Sequence, residues 1–336
     1  MRSKIIVFLI VFSVSFSICL TQTLDPQKKL IKLDSYLPND HQVEQGIYLK
    51  QIGPFCIDNL NNLYLGDINY CIFHKFDELG QLLFSFGEKG QGPLEFMQVH
   101  RITPFHDGLL LMDSVNKKIQ ILDEYGKYQS SFKILKSYSS MAVSDEGLIY
   151  VSPKNTEDHL IDVLDTKGQL LRSFGEKIKT KKPHIAFNKL ILSTNSKREV
   201  WAAWSYFPYI IRYSFDGKVI KKYTIDNDAL KDILKWNEAQ SKSPKITNRV
   251  TLKSLLNCFY LTENRFYLFL IGKATPRIVE YDYHGQVKTI YEIYNDTKKI
   301  MYTNMAVLEK GEERIFYMLH VFPEARVDVY KIISVD

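Results

Sequence analysis

Gly80-Gln81-Leu82-Leu83-Phe84-Ser85-Phe86-Gly87-Glu88-Lys89 returns 88 residues later as Gly168-Gln169-Leu170-Leu171-Arg172-Ser173-Phe174-Gly175-Glu176-Lys177, with nine of ten positions identical. Midway between them, Asp123-Glu124-Tyr125-Gly126-Lys127 supplies a related turn. The underlying period is therefore about 44 residues, the length of a four-stranded propeller blade.

The turn has a physical basis. An apolar strand ends in Asp, and Gly follows one to three residues later, before the next strand. Phe76-Asp77 with Gly80, Leu122-Asp123 with Gly126, Leu164-Asp165 with Gly168, Phe215-Asp216-Gly217 and Tyr281-Asp282 with Gly285 all fit. The Asp carboxylate bonds back to turn amides, and Gly takes the positive φ that closes a hairpin.

Strand pairs precede each turn: 62–65 with 71–73, 109–112 with 119–121, 148–151 with 160–163, 200–203 with 209–212, 266–269 with 277–280, and 315–318 with 327–330. Six pairs and five turns leave the last blade one strand short. Leu30-Ile31-Lys32-Leu33 near the N-terminus is expected to supply it, which would leave no radial sheet edge open. The expected fold is all-β: a six-bladed β-propeller of four-stranded antiparallel blades over residues 22–336, its ring closed by an N-terminal strand. The spacing stretches once, between Gly217 and Gly285. Leu230, Ile233 and Leu234 behind Asp228 have helical spacing there, so residues 226–248 are expected to form a short helical insertion, either a contact site or a packing decoration.

The link Phe86-Gly87-Glu88-Lys89-Gly90-Gln91-Gly92-Pro93-Leu94-Glu95-Phe96 resembles the G-x-G-P-x-E-F connection of exported bacterial NHL-repeat six-bladed β-propellers. Tyr64-Leu65-Gly66-Asp67 and Leu111-Met112-Asp113 are similar to that family's strand-Asp positions. The resemblance covers most of residues 50–336 and is clearest in the first three blades. It implies a fold and a repeat register; on this scaffold adhesion modules, sensors, lyases and lactonases all occur, so it implies no single function.

With 45% hydrophobic residues the chain has ample material for a core, and its 13% aromatic content suits strands. The net charge of +6 is spread out, and Lys177, Lys179, Lys181 and Lys182 read as a solvated loop rather than a nucleic-acid stripe. Arg2 and Lys4 followed by the apolar run Ile5–Ile18 read as a signal peptide over residues 1–21, too short for a membrane anchor. The mature protein is thus expected outside the cytoplasm, periplasmic or secreted, as a monomer with no transmembrane span. Bulky Ile18 argues against lipidation at Cys19. Cys56, Cys71 and Cys258 then form an odd set without metal or redox spacing, best read as buried thiols.

Chemical signatures are sparse. Gly87–Pro93 lacks the Gly-Lys-Ser/Thr and following helix of a phosphate loop, so it reads as a structural linker. No G-x-S-x-G elbow and no local His pair with metal spacing occurs. His100 with Arg101 enters the second blade, and Asp67 and Asp113 end matched strands, positions that either cap turns or face the axial channel. Aromatic residues crowd Trp201, Trp204, Tyr206, Phe207 and Tyr209. The binding candidates are Trp236 on the insertion, Trp201 and Trp204, although alternation between packed blades favours core packing for the last two. No catalytic residue, metal ligand or cofactor is assigned. The expectation is a non-catalytic binding or scaffolding propeller engaging a protein, peptide or glycan. The alternative is a lactonase- or lyase-like enzyme with Ca²⁺ or Zn²⁺ at the channel mouth.

Overall fold

A computed structural model describes residues 17–20, 27–44, 46–47, 49–154, 159–179, 185–227, 230–242, 252–270, 276–294, 302–321 and 325–333. Six antiparallel blades follow one another along the chain. Blade 1 comprises Ile52–Ile57, Leu63–Asp67, Ile72–Phe76 and Leu82–Phe86; blade 2 comprises Val99–Phe105, Gly108–Asp113, Lys118–Leu122 and Tyr128–Lys133. Blade 3 is Tyr138–Val143, Ile149–Pro153, Ile161–Leu164 and Leu170–Phe174, and blade 4 is Leu190–Thr194, Glu199–Trp204, Tyr209–Ser214 and Val219–Ile225. Leu256–Leu261, Arg265–Leu270, Arg277–Asp282 and Val287–Tyr294 build blade 5. Tyr302–Lys310, Glu313–His320 and Arg326–Ile333 give blade 6 three strands.

The fourth strand of blade 6 comes from the other end of the chain. Gln27–Leu37 pairs antiparallel with Arg326–Ile333, with Ile31 opposite Ile332 and Leu33 opposite Tyr330. The expected closure by Leu30–Leu33 is present and longer than the sequence indicated. The same strand also runs parallel to Val287–Tyr294, so blades 5 and 6 are stitched into one eight-stranded sheet. Of the segment read as a leader, only Ser17–Leu20 lies within the described residues. It runs parallel to Lys222–Ile225 as a fifth strand on blade 4.

The core is distributed between the blades. Each of six apolar clusters is shared by two neighbouring blades, the last joining blade 6 to blade 1. Second strands are therefore buried on both faces. Leu109 and Leu111 face blade 1, while Leu110 and Met112 face blade 3. This explains why such strands read as continuous apolar runs instead of alternating ones.

The hairpin between third and fourth strands shows why the motif repeats. Asp77 Oδ1 accepts from the Leu79 and Gln81 amides at 2.9 and 2.8 Å, and Asp123, Asp165 and Asp282 do the same in their blades. In blade 4 the equivalent position, three before Gly217, is Ser214, whose hydroxyl accepts from the Lys218 amide at 3.2 Å. Asp216 was the expected cap there; it forms an ion pair with Lys218 at 2.9 Å instead. The hairpin glycines combine a positive φ with a second constraint. A Cβ on Gly126 would meet the Phe84 ring at 2.9 Å, one on Gly168 the Phe132 ring at 2.3 Å, and one on Gly217 the Phe174 ring at 2.6 Å. Each turn thus lies on the outer strand of the preceding blade. Gly80 in blade 1 obeys the same rule: its neighbour at 3.0 Å is Leu37, at the end of the closing strand.

The insertion contains the helix Lys231–Lys242, while residues 228–229 and 243–251, including the expected Asp228 cap, lie outside the described residues. Leu230 is buried, and Ile233 and Leu234 pack with it over the junction of blades 4 and 5. The buried Asn237 amide nitrogen donates to the carbonyls of Tyr206 and Lys253, both at 2.8 Å. Among the described residues, no helix is long and apolar enough to cross a membrane.

Two stability predictions follow from these contacts. Gly46 has φ +84° and open space around it, so Gly46→Ala should cost only the left-handed backbone penalty, about 1–2 kcal/mol. Gly168→Ala, at φ +80° against Phe132, should add about 1–3 kcal/mol of overpacking in chemical denaturation; equal losses at the two sites would contradict the inter-blade contact. In the closing strand, Ile31→Ala removes a fully buried side chain and should destabilise the whole ring by about 2–5 kcal/mol. Exposed Lys32→Ala should stay within about 0.5 kcal/mol of the parent protein.

Candidate functional site

The first strand of each blade lies innermost, and these six strands are neighbours in cyclic order around the axis. They enclose an axial channel with a cavity of about 960 Å³. Each innermost strand begins after an inter-blade linker and ends at a hairpin, so the channel has a linker-side mouth and a hairpin-side mouth. The charges lining it are segregated. Among the described lining residues, the acids Asp58, Asp145, Glu263 and Glu309 lie towards the hairpin side, and the cations Arg101 and Lys189 towards the linker side.

Most of the acidic mouth is already engaged. Asp58 caps the turn through the Leu60 and Asn62 amides and pairs with buried Lys75 at 3.5 Å. Glu309 accepts from Tyr267 Oη at 2.5 Å and lies 3.5 Å from Arg314. Glu263 accepts from Ser196 Oγ at 2.5 Å.

The linker-side mouth is different. Arg101 occupies the third position of its strand, and Lys189 immediately precedes Leu190–Thr194. Among the described residues, Arg101 makes one hydrogen bond, from its guanidinium to the His100 carbonyl at 3.2 Å, and no ion pair. Burial alone lowers its affinity for its proton. Lys189 is pushed down by burial first and then by the charges of Arg101 and Lys154, and its ammonium sits 5.9 Å from the Tyr206 ring centre. His100 donates its Nε2–H to the Tyr138 carbonyl at 3.0 Å, which fixes the tautomer; its buried Nδ1 has no partner among the described residues. Burial, then Arg101, lowers its pKa to about 4. At neutral pH this mouth therefore presents two cations beside a neutral imidazole.

The sequence-derived positions sort clearly. Asp67 and Asp113 are buried caps. Asp67 accepts from the amides of Lys50, Gln51, Asn69 and Tyr70, and Asp113 from those of Met97, Gln98, Val115 and Asn116. In each case one carboxylate ties the strand end to the incoming linker, leaving no lone pair directed into the channel. Trp201 and Trp204 are core residues at 0% and 1% exposure, so neither offers a face to a ligand. Trp201 stacks on Tyr223 at 5.5 Å between blades 4 and 5, and Trp204 belongs to the cluster between blades 3 and 4. Trp236 is the exception, 41% exposed on the insertion helix, with the Lys253 ammonium 4.7 Å from its ring centre. The linker Gly87–Pro93 holds no space for a phosphate: Glu95 Oε2 already accepts from the Gln91 and Gly92 amides, both at 2.7 Å. Lys118 and Gln120 of blade 2 secure the same loop. Cys56, Cys71 and Cys258 are free thiols raised above their usual range by burial.

Two titrations test this electrostatic description. The unfolded chain protonates His100 near 6.5 and the folded chain near 4, so acidification across that interval should favour unfolding. Nuclear magnetic resonance should place the His100 midpoint near 4 and move it upward in Arg101→Gln; a midpoint near 6.5 would refute the burial. Glu95 is held below its ordinary value of 4.5 by the amides of Gly92 and Gln91. Its contribution is present above that value and is lost as pH falls through the lower folded one. The stability gap between the parent and Glu95→Gln should therefore close in acid.

Comparison with known proteins agrees with this architecture. A protein of Bacteroides fragilis described as exported superposes with a TM-score of 0.61 at 12% identity, over 92% of this chain and 98% of that one. A virginiamycin B lyase from Staphylococcus aureus, in complex with quinupristin, gives 0.55 at 11% identity over 90% of this chain and 100% of the lyase. A streptogramin B lyase gives 0.52 at 12% identity over 86% and 85%. At these identities the likeness is one of fold alone. A search among curated proteins finds no match. The model of a family described as 6-bladed beta-propeller matches residues 46–318, and the chain belongs to that family.

Proposed function

We propose that this chain is an exported, monomeric, non-catalytic binding propeller of the NHL-repeat type. Its ligand is a group on a protein, peptide or glycan, received at the linker-side mouth of the axial channel. The observation that carries the reading is the pair of channel-lining cations, Arg101 and Lys189, neither with a carboxylate partner among the described residues. A protein that only needed to fold would gain by pairing such charges, because desolvating a cation is costly. Trp236 and Lys253 on and beside the insertion helix extend the same side of the molecule outward from Tyr206, through Asn237.

Export rests on Arg2, Lys4 and the apolar run to Ile18, which we take as a leader over residues 1–21 that is removed from the mature chain. The metal-dependent alternative requires several donors converging on one point. Among the described residues, no three His, Cys, Asp or Glu side chains do so.

Arrays of defined glycans and peptides, probed with the mature chain, test the proposal. Thr303 is exposed and lines the channel, so Thr303→Trp should narrow the opening without disturbing the core. Capture should fall about tenfold or more in that variant while the melting temperature holds, since a blocked pocket forfeits contacts worth at least about 1.4 kcal/mol. Undiminished capture would place the ligand elsewhere, and chemical conversion of a captured ligand would make the protein an enzyme.

A further inference from the structure

We infer that the linker-side mouth is an oxyanion site, built for the carboxylate of an acidic sugar at the end of a glycan. This rests on the binding reading above and names the ligand's chemistry.

The cations come first. Arg101 and Lys189 lie on blades 2 and 4, far apart in sequence, yet line one cavity, and the charge of Arg101 reaches Lys189. Lys154 adds a third positive charge to the same neighbourhood, acting on both Lys189 and His100. The carboxylate whose field reaches His100, Asp113, is saturated by four backbone amides. Among the described residues lining the cavity, no acid stands on this side. A guanidinium offers a planar fork that matches a carboxylate with two parallel hydrogen bonds. Arg101 spends one donor on the His100 carbonyl and has others to offer a ligand.

Neutral donors and acceptors then favour a sugar over other acids. Asn257, Thr303 and Asn304 line the cavity near the starts of the innermost strands of blades 5 and 6, across the axis from blades 2 and 3. The Asn257 amide nitrogen donates to the Tyr302 carbonyl at 2.9 Å, which leaves its oxygen as an acceptor. The Asn304 oxygen accepts from the Met305 amide at 2.9 Å, which leaves its nitrogen as a donor. Fixed amides of opposite polarity and an exposed hydroxyl suit vicinal hydroxyl groups. An aliphatic carboxylate without further polar groups would leave them facing water.

Calorimetric titration of the mature chain at constant ionic strength tests this with three probes: glucuronate, glucose and trialanine. Glucuronate should bind about tenfold or more tightly than glucose, the difference expected when a charge-assisted pair is present or absent. Arg101→Gln and Lys189→Met should each weaken glucuronate by about tenfold, with glucose unaffected. Glu263→Gln, at the opposite mouth, should change nothing. If Arg101→Gln loses the circular dichroism of the parent, Lys189→Met alone decides. Glucuronate binding that is unchanged in the folded variants, or no tighter than glucose, overturns the inference. So does a preference for trialanine, which would make the site a peptide-terminus receptor. Any of these results leaves the binding reading intact if Thr303→Trp still abolishes array capture. Loss of both would remove the reading itself.

Discussion

The pairing of Gln27–Leu37 with Arg326–Ile333 is the constraint on which the rest of the ring depends. Blades bury their apolar faces only against other blades, and an open ring would leave the outward faces of the first and last without a partner. The cluster shared by blades 6 and 1 makes the point, since it joins Val327 and Val329 to Leu63 and Leu65. Leu37, at the end of the closing strand, belongs to this cluster and lies beneath the Gly80 turn. The strand therefore completes a sheet, seals a core and supports a hairpin. By also running parallel to Val287–Tyr294 it removes a further free edge.

Given closure, each blade repeats one set of contacts with local substitutions. In blades 2, 3 and 4 the hairpin glycine sits on an aromatic ring of the previous outer strand, and in blades 1 to 5 the residue three positions earlier caps the turn. A second recurrence lies inside the blades. The third strands of blades 1, 2, 3 and 6 each bury a polar residue at the same register, His74, Gln120, Asp162 and Asp328, and each finds a partner. His74 meets Ser85 at 2.8 Å, Gln120 holds the linker at Leu94 and Glu95, Asp162 accepts from Ser173 at 2.6 Å, and Asp328 from Tyr302 at 2.7 Å. Buried polar groups that are fully satisfied fix which strand sits beside which, in a way that interchangeable apolar contacts do not.

This explains what was legible in the chain and what was not. Turns made by Asp and Gly are local in sequence, and the second strands, buried on both faces, stand out as apolar runs. The blade count and the closing strand follow from those two signals. Blade 4 misled at one position, because Ser214 performs the capping that Asp216 was expected to do. The innermost strands are harder to see: one face lines a wet channel, and Pro54, Pro104 and Ser139-Ser140 break any alternation. Yet these strands carry the candidate site. Arg101, Lys189, Asn257 and Asn304 lie on four different blades, and no spacing rule connects them. Trp201 and Trp204 are large aromatics of the kind that suit binding surfaces, but alternation between two packed blades favours the core for both, and both lie there.

The polarity of the channel, acids engaged at one mouth and cations open at the other, is the central claim about function. A crystal structure of the mature protein grown with glucuronate would test it most directly. The account predicts ordered density in the linker-side mouth, its carboxylate within hydrogen-bond distance of Arg101 and its hydroxyls towards Asn257 and Asn304. Density at the hairpin-side mouth, or a sugar bound only on the insertion helix around Trp236, would contradict it.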